Sequence, residues 1–390
     1  MINTLSGQMS MRRKKLVFLT GTRADYGKLK SLIAITQKSD LYEVHIFATG
    51  MHMNSTYGHT IDEIIKNGFD NIYPFINHDS IDHMDRTLAK TIDGFSKYIA
   101  DLRPDLIIVH GDRVEAMAGA IVGSLNNILV AHIEGGELSG TIDELIRHSV
   151  SKMSHIHLVS NEDARKRLVQ LGEISNSIFI LGSPDLDLMN STTLPILSDV
   201  KKYYNIDFED FSVAMLHPVT TEFEFTAGNA KEFTNALLNN DENYIVIYPN
   251  NDIGSNEILS EYKRLKGNKR IKIFPSLRFE YFLVLLKNSK FIIGNSSAGI
   301  REAPYYDVPT IDIGSRQNNR SLGHSIFRAD NEVNSIIKAI KLAKKFKKDT
   351  IKKESSFGKG QSDKIFIKLL GDEKFWKIKC QKKFQDISYE

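Results

Sequence analysis

The densest run of chemistry-bearing residues is Gly294-Asn295-Ser296-Ser297-Ala298-Gly299-Ile300-Arg301-Glu302, which follows Phe291-Ile292-Ile293 and leads into Ala303 and Pro304. A buried strand that ends in small polar residues and opens a short helix leaves backbone N–H groups without intrahelical partners. Those donors, with the positive end of the helix dipole, favour an anion. Ser296 and Ser297 stand where hydroxyls can donate to phosphate oxygens, and Glu302 stands within reach of a ribose. Asn and Ser also cap ordinary helices, so this segment by itself leaves a plain N-capped helix open.

Other apolar runs end in ionisable groups. Leu106–Val109 runs into His110-Gly111-Asp112-Arg113, and Ile128–Ala131 into His132-Ile133-Glu134-Gly135-Gly136-Glu137. Asp143, Glu144, Arg147 and His148 open the helix that follows. Carboxylates on successive strand ends, Asp112 and Glu134, can face one cleft. Like charges there push their pKa values apart and supply an acid and a base in one site. A buried ion-pair network with Arg113 and Arg147 is the structural alternative, and three carboxylates on successive loops favour catalysis. Gly21-Thr22-Arg23-Ala24-Asp25-Tyr26-Gly27 ends the first strand, with Gly21 and Gly27 allowing close backbone approach. Arg23 either meets a phosphate or pairs with a carboxylate; an arginine at a first strand–helix turn favours the phosphate.

In the second half, Leu216-His217-Pro218 ends a strand with a histidine suited to shuttling a proton or donating to a leaving pyrophosphate. Pro249-Asn250-Asn251 and Gly314-Ser315-Arg316 end later strands. Together His217, Asn250, Ser296, Ser297, Glu302 and Arg316 line one sheet edge in a pattern suited to a nucleotide diphosphate. His110, His132, His148, His155 and His157 lack the tight pairing or cysteine partner that metal sites use, so the reading is no metal.

The elements that must position these groups alternate from end to end. Leu16–Thr20, Val44–Ala48, Leu106–His110, Ile128–His132 and Ile156–Ser160 read as buried parallel strands. Leu29–Gln37, Asp82–Leu102, Val114–Leu125 and Ile142–Lys152 read as helices between them. A second series has strands Ser212–His217, Tyr244–Pro249, Ile271–Phe274, Phe291–Gly294 and Thr310–Ile313, with helices at Glu222–Leu238 and Ile258–Lys266. The class is therefore α/β, two doubly wound Rossmann-like units in tandem, with the ligand in the cleft outside their strand ends. The expected division is a flexible leader over 1–14, a first domain over 15–188 with the acid–base residues, and a nucleotide-binding domain over 189–360. A helical segment over 361–390 is expected to pack back on the first domain. Lys338–Lys353 reads as a solvated helix face and Ser355–Ser362 as a crossover loop.

With 390 residues, 41% hydrophobic and 25% charged, the chain has a globular composition of two-domain length. A net charge of +3 argues against nucleic acid, and one cysteine excludes an intramolecular disulfide framework and fits the cytoplasm. No apolar stretch approaches the about 20 residues that span a bilayer.

The strings GTRADYGKL, HGDR, HIEGGE, TIDELIRHSVSKMSH, LGSPDLD, HPVTTE, YPNNDIGS, GNSSAGIREA and IGSRQNNR run in order from Gly21 to Arg320. As an ordered set they resemble the hydrolysing UDP-N-acetylglucosamine 2-epimerases of bacterial sialic acid synthesis and of the bifunctional animal enzyme. The resemblance implies the GT-B architecture, with no cofactor and no metal. The implied reaction eliminates UDP to a 2-acetamidoglucal and hydrates it to N-acetylmannosamine. By matching motifs, Arg23, Gly27, Arg113, His217, Asn250, Ser296, Ser297, Glu302 and Arg316 become the UDP-sugar contacts. Asp112, Glu134 and Asp143 become the acid–base set, assisted by His217, with one of Asp112 and Glu134 expected at the C2 proton. A homodimer or homotetramer is implied by the same analogy. Animal relatives carry a lysine where this chain has Asn256, so their feedback regulation is not carried over. The alternatives are the same chemistry on UDP-2,4-diacetamido-2,4,6-trideoxyglucose, the non-hydrolysing 2-epimerases, a glycosyltransferase of the same architecture, and a non-catalytic nucleotide-sugar sensor.

Overall fold

A computed structural model of the protein describes residues 12–78, 83–318, 323–347, 357–358 and 360–386. Seven parallel strands form the first sheet: β1 (Lys14–Thr20), β2 (Tyr42–Ala48), β3 (Asn71–Pro74), β4 (Leu106–His110), β5 (Leu129–Ile133), β6 (Ile156–Val159) and β7 (Ile178–Ile180). Their spatial order is β3-β2-β1-β4-β5-β6-β7. Six more form the second: β8 (Ser212–Met215), β9 (Tyr244–Ile247), β10 (Ile271–Phe274), β11 (Ile292–Gly294), β12 (Thr310–Ile313) and β13 (Ile326–Ala329). These lie in the order β10-β9-β8-β11-β12-β13. The direction of winding reverses between β1 and β4 and again between β8 and β11, and such reversals open the crevices that ligands occupy.

The central strands are apolar because helices cover both faces: Leu16, Val17 and Phe18 of β1 and Ile107, Ile108 and Val109 of β4 are fully buried. Three strands were not foreseen. β3 and β13 are partly exposed edges with little apolar signal, and β7 has three residues. The helix expected at Leu29–Gln37 begins at Arg23 instead. A capping box sets that start: Asp25 N–H donates to Thr22 Oγ1 at 3.2 Å, and Thr22 N–H donates to Asp25 Oδ1 at 2.9 Å. Arg23, Gly27 and Lys28 are thus helical rather than in a loop. The helix Phe279–Lys287 was also missed, its apolar residues being nearly continuous. The expected Glu222–Leu238 is a 3₁₀ stretch followed by a helix over Thr226–Leu238, with Glu222 itself non-helical. The helix expected at Ile258–Lys266 runs over Ser255–Tyr262 and ends in a 3₁₀ turn. Phe366, Leu370 and Phe375, near the C-terminus, join the core formed by Leu16, Phe18 and Leu29. Residues 1–11 of the expected leader, 348–353 of the lysine-rich stretch, and 355, 356 and 359 of the expected crossover loop lie outside the described residues.

Two glycines set close approaches. A Cβ on Gly27 would lie 2.6 Å from the Phe279 ring, so its absence lets Arg23–Gln37 cross the second-sheet helix Phe279–Lys287. Gly294 has φ 135° and a virtual Cβ 1.8 Å from the Met215 carbonyl oxygen, which ties the end of β11 to β8. Gly294→Ala is expected to cost about 3 kcal/mol or more, read as a large fall in the thermal midpoint; an unchanged midpoint would contradict the packing.

Buried histidines brace the strand ends. His52 bonds Thr20 Oγ1 at 3.0 Å and Thr60 Oγ1 at 2.6 Å, and His132 bonds the Gly111 carbonyl at 2.8 Å and Ser151 Oγ at 3.0 Å. Burial lowers both pKa values, to about 4 for His52 and about 3 for His132. Below the unfolded value of 6.5 the unfolded chain binds protons that the folded one refuses. Stability is therefore complete above that pH and declines as pH falls toward these folded values. Each histidine should remove about 2 kcal/mol between neutrality and pH 5. Urea unfolding should show that decline, shallower in His132→Asn; parallel slopes for the two proteins would contradict it.

Candidate active site between the two sheets

The two crevices face each other across a cavity of about 280 Å³. Its walls come from the end of β1 (Thr22–Asp25), the end of β4 (His110–Arg113), the end of β8 (His217) and the turn after β11 (Ser296–Ala298). Arg23, Asp112, Arg113, Glu134, Asp143, His217, Asn250, Ser296, Ser297, Glu302 and Arg316 all line it. Gly27 does not; it serves the helix crossing at Phe279.

The first-sheet wall carries the carboxylates. Asp112 is paired with Arg147 Nη2, and Arg147 Nη1 donates to the Glu134 carbonyl at 2.8 Å. Asp143 opens the helix Ile142–Met153 and meets Arg316 Nη2 of the second sheet at 3.0 Å. Burial, and then the Asp112 charge beside it, push the Asp143 pKa up against the pull of Arg316. The like charge that acts beside Asp112 is therefore Asp143, whereas the strand ends suggested Glu134 in that place. Glu134, at a left-handed φ of 65°, turns into a nest of donors. Its Oε1 accepts from Arg301 Nη2 at 2.6 Å, Ser183 Oγ at 2.8 Å and Lys28 Nζ at 3.3 Å, and Oε2 lies 3.3 Å from His110 Nε2. Burial opposes the charge, yet Arg301, Lys28 and His110 outweigh it and hold the carboxyl well below its usual range.

The second-sheet wall is built of donors. His217 Nδ1 accepts the Asn250 N–H at 3.0 Å, which leaves the neutral ring's proton on Nε2. Burial, then Arg316 and Arg113, keep the imidazole neutral far below its normal pKa. It is a hydrogen-bond donor at neutral pH, not a cation. Asn295 fixes its backbone, accepting the His217 N–H at 2.7 Å and donating to its carbonyl at 2.8 Å. Ser296 caps the 3₁₀ turn Ser297–Gly299. Among the described residues, buried Asn250 Oδ1 and Glu302 Oε2 have no hydrogen-bond partner. Burial raises the Glu302 pKa, with Lys28 opposing. An apolar patch of Met215, Ile247, Leu277, Phe279 and Phe282 completes this wall.

The arginines split between the two earlier readings. Arg23 pairs with Glu63 at 2.9 Å and donates to Ser276 Oγ at 2.8 Å, while Arg113 meets Asp252 at 3.1 Å and Asn251 at 2.7 Å. They brace the sheets as well as lining the cavity. Sequence reasoning assigned no part to Lys28, Glu137, Ser183, Asp185 or Arg301, which form a buried cluster with Glu134. Their signal lay in the strings themselves: charged residues placed next to Gly27, Pro184 and Ile300 in otherwise apolar or small-residue stretches.

Comparison with known proteins agrees with this geometry. Residues 34–371 match the family described as UDP-N-acetylglucosamine 2-epimerase. The chain is 47% identical over 378 residues to a UDP-N-acetylglucosamine 2-epimerase of Neisseria meningitidis serogroup B, covering 96% of this chain and all of that protein. It is 32% identical to a hydrolysing UDP-N,N'-diacetylbacillosamine 2-epimerase of Legionella pneumophila, over 92% of this chain and 95% of that protein. It is likewise 32% identical to the polysialic acid biosynthesis protein P7 of Escherichia coli, over 96% and 98%. The Methanocaldococcus jannaschii UDP-GlcNAc 2-epimerase, solved with UDP-GlcNAc and UDP, superposes with a TM-score of 0.77 over 92% of this chain and 99% of that one, at 23% identity. The two-sheet fold is thus shared with solved epimerases. On sequence and architecture together, the chain belongs to the UDP-N-acetylglucosamine 2-epimerase family.

Proposed function

We propose that this protein converts UDP-N-acetylglucosamine to UDP and N-acetylmannosamine by elimination followed by hydration. One observation carries the reading: a wall of carboxylates with separated proton affinities faces a wall of neutral and cationic donors across a single cavity. The donor wall suits a nucleotide diphosphate. Its apolar patch takes the flat base, Glu302 meets the ribose, and Ser296, Ser297 and the His217 Nε2–H meet the pyrophosphate. The carboxylate wall then lies at the sugar.

In the first step the C1–O bond breaks and its electron pair leaves with UDP, assisted by the His217 donor. The C2 proton passes to a carboxylate of the Asp112–Asp143 pair, and the C–H electrons form the C1=C2 bond. Asp143, whose proton affinity burial and the Asp112 charge raise, suits that transfer, while Glu134, held as an anion, stabilises positive charge developing at C1. In the second step water adds its hydroxyl to C1 and a proton returns to C2 on the opposite face, giving N-acetylmannosamine. A glycosyltransferase would need one base and an acceptor groove, and the grouped carboxylates weigh against it. The 47% identity to the Neisseria protein, against 32% to the diacetylbacillosamine enzyme of Legionella, favours UDP-N-acetylglucosamine over the diacetamido sugar. The family resemblance supports a cytoplasmic homodimer or homotetramer.

Proton NMR in deuterated water should find UDP and N-acetylmannosamine deuterated at C2. Turnover of UDP-2,4-diacetamido-2,4,6-trideoxyglucose alone would move the assignment to that substrate, and inertness toward both would reject the reaction. Asp112→Asn, Asp143→Asn and Glu134→Gln should each lower kcat by about 10²-fold or more while UDP affinity stays within a few-fold by calorimetry. Near-native turnover in any of them would remove that residue from the set.

A further inference from the structure

Arg301 follows the Ser296–Gly299 turn after the single residue Ile300, and its backbone N–H donates to the Ser297 carbonyl at 3.0 Å. Its side chain then leaves the second-sheet half and enters the first. Nη2 donates to Glu134 Oε1 at 2.6 Å and to Ser183 Oγ, and Nη1 donates to Glu137 Oε2. Nε stands 3.8 Å from Asp185 Oδ2, and the guanidinium lies 4.6 Å from the centre of the Phe357 ring. The side chain is only 5% exposed. A planar fork held at this many points cannot slide, so the turn and the carboxylates keep one spacing or separate altogether.

We propose that Arg301 is a positioning residue that couples occupancy of the Ser296–Gly299 turn by a nucleotide diphosphate to Glu134, engaging that carboxylate only while the two sheets are closed. The ligand assigned to the turn rests on the UDP-sugar reading above. Among the described residues, the other groups of positive charge that meet Glu134 are borne by the first-sheet half. These are Lys28 on Arg23–Gln37, His110 at the end of β4, and Arg147, which also holds the Glu134 carbonyl. Opening the cleft withdraws Arg301 and leaves Glu134 with Lys28, His110 and Arg147 of its own half. Glu302 departs with Arg301. Closure brings the Arg301 charge back onto Glu134, so the sugar-side charge is set when the nucleotide is in place. Glu137 anchors the fork through Ser160, whose Oγ donates to it at 2.5 Å.

Hydrogen-exchange mass spectrometry on wild type, Arg301→Gln and Arg301→Lys, with and without UDP, tests this apart from turnover. UDP should protect the amides of Ile133–Leu138 in wild type. In Arg301→Gln that protection should vanish although UDP affinity by calorimetry stays within about threefold, with Arg301→Lys intermediate because a lysine lacks the fork. Glu137→Gln, which keeps the Arg301–Glu134 contact, should retain the protection. In activity assays the acid limb of kcat, which reports the closed complex, should move to higher pH in Arg301→Gln, and added guanidinium should restore turnover. Equal UDP protection in Arg301→Gln and wild type would overturn the coupling, as would lost turnover with an unmoved pH profile and no guanidinium rescue. Wild type that binds UDP yet releases no N-acetylmannosamine would reject the reaction instead, and the exchange result would still decide the coupling.

Discussion

The rest of this structure depends on charge that crosses the cleft. Arg301 in the Glu134–Glu137 nest, Arg316 on Asp143 and Arg113 on Asp252 each join a cation of one half to an anion of the other. Buried pairs of this kind are costly to assemble, and removing one partner leaves an uncompensated charge worth about 3–5 kcal/mol. They contribute little as glue compared with the two apolar cores. Their effect is on geometry: only one relative placement of the sheets satisfies all of them, and that placement brings carboxylates and phosphate donors around one cavity.

Folded this way, each sheet contributes what its topology makes available. The reversal between β1 and β4 exposes the end of β4, and there the first unit places Asp112 and Arg113. The reversal between β8 and β11 exposes the ends that bear His217 and the Ser296–Ser297 turn. Backbone devices hold them in place: Asn295 fixes His217, Thr22 and Asp25 fix the start of the first helix, and Gly294 admits the Met215 carbonyl. The proposed division of labour between proton chemistry and anion binding rests on that placement.

Much of this was legible in the residues. Short Val/Ile/Leu runs ending in polar clusters gave the tandem α/β architecture, since a doubly covered parallel strand has no other composition. The cavity-lining residues that the sequence singled out stand at strand ends or in the turns that follow them. What escaped lay where one-dimensional signals fail. The edge strands β3 and β13 are half polar, and the helix at Arg23 starts through a cap bond rather than through periodicity. The charge pairing on the first-sheet wall escaped as well. Glu134 and Asp112 end adjacent strands, but Arg301, more than 150 residues away in sequence, diverts Glu134 and leaves Asp143 as the partner of Asp112. Contacts between distant segments are invisible to spacing, and so was the conversion of Gly27 from an expected ligand contact to a helix crossing.

A cleft with carboxylates of separated proton affinity on one wall and donors suited to a diphosphate on the other fits breakage of the sugar carbon–oxygen bond rather than of the pyrophosphate. Turnover of UDP-N-acetylglucosamine in water enriched in oxygen-18, with the UDP analysed by mass spectrometry, tests that most directly. The account predicts UDP free of label, its bridging oxygen having left with the phosphate. Oxygen-18 in the β-phosphate of UDP would mean attack at phosphorus and would contradict it.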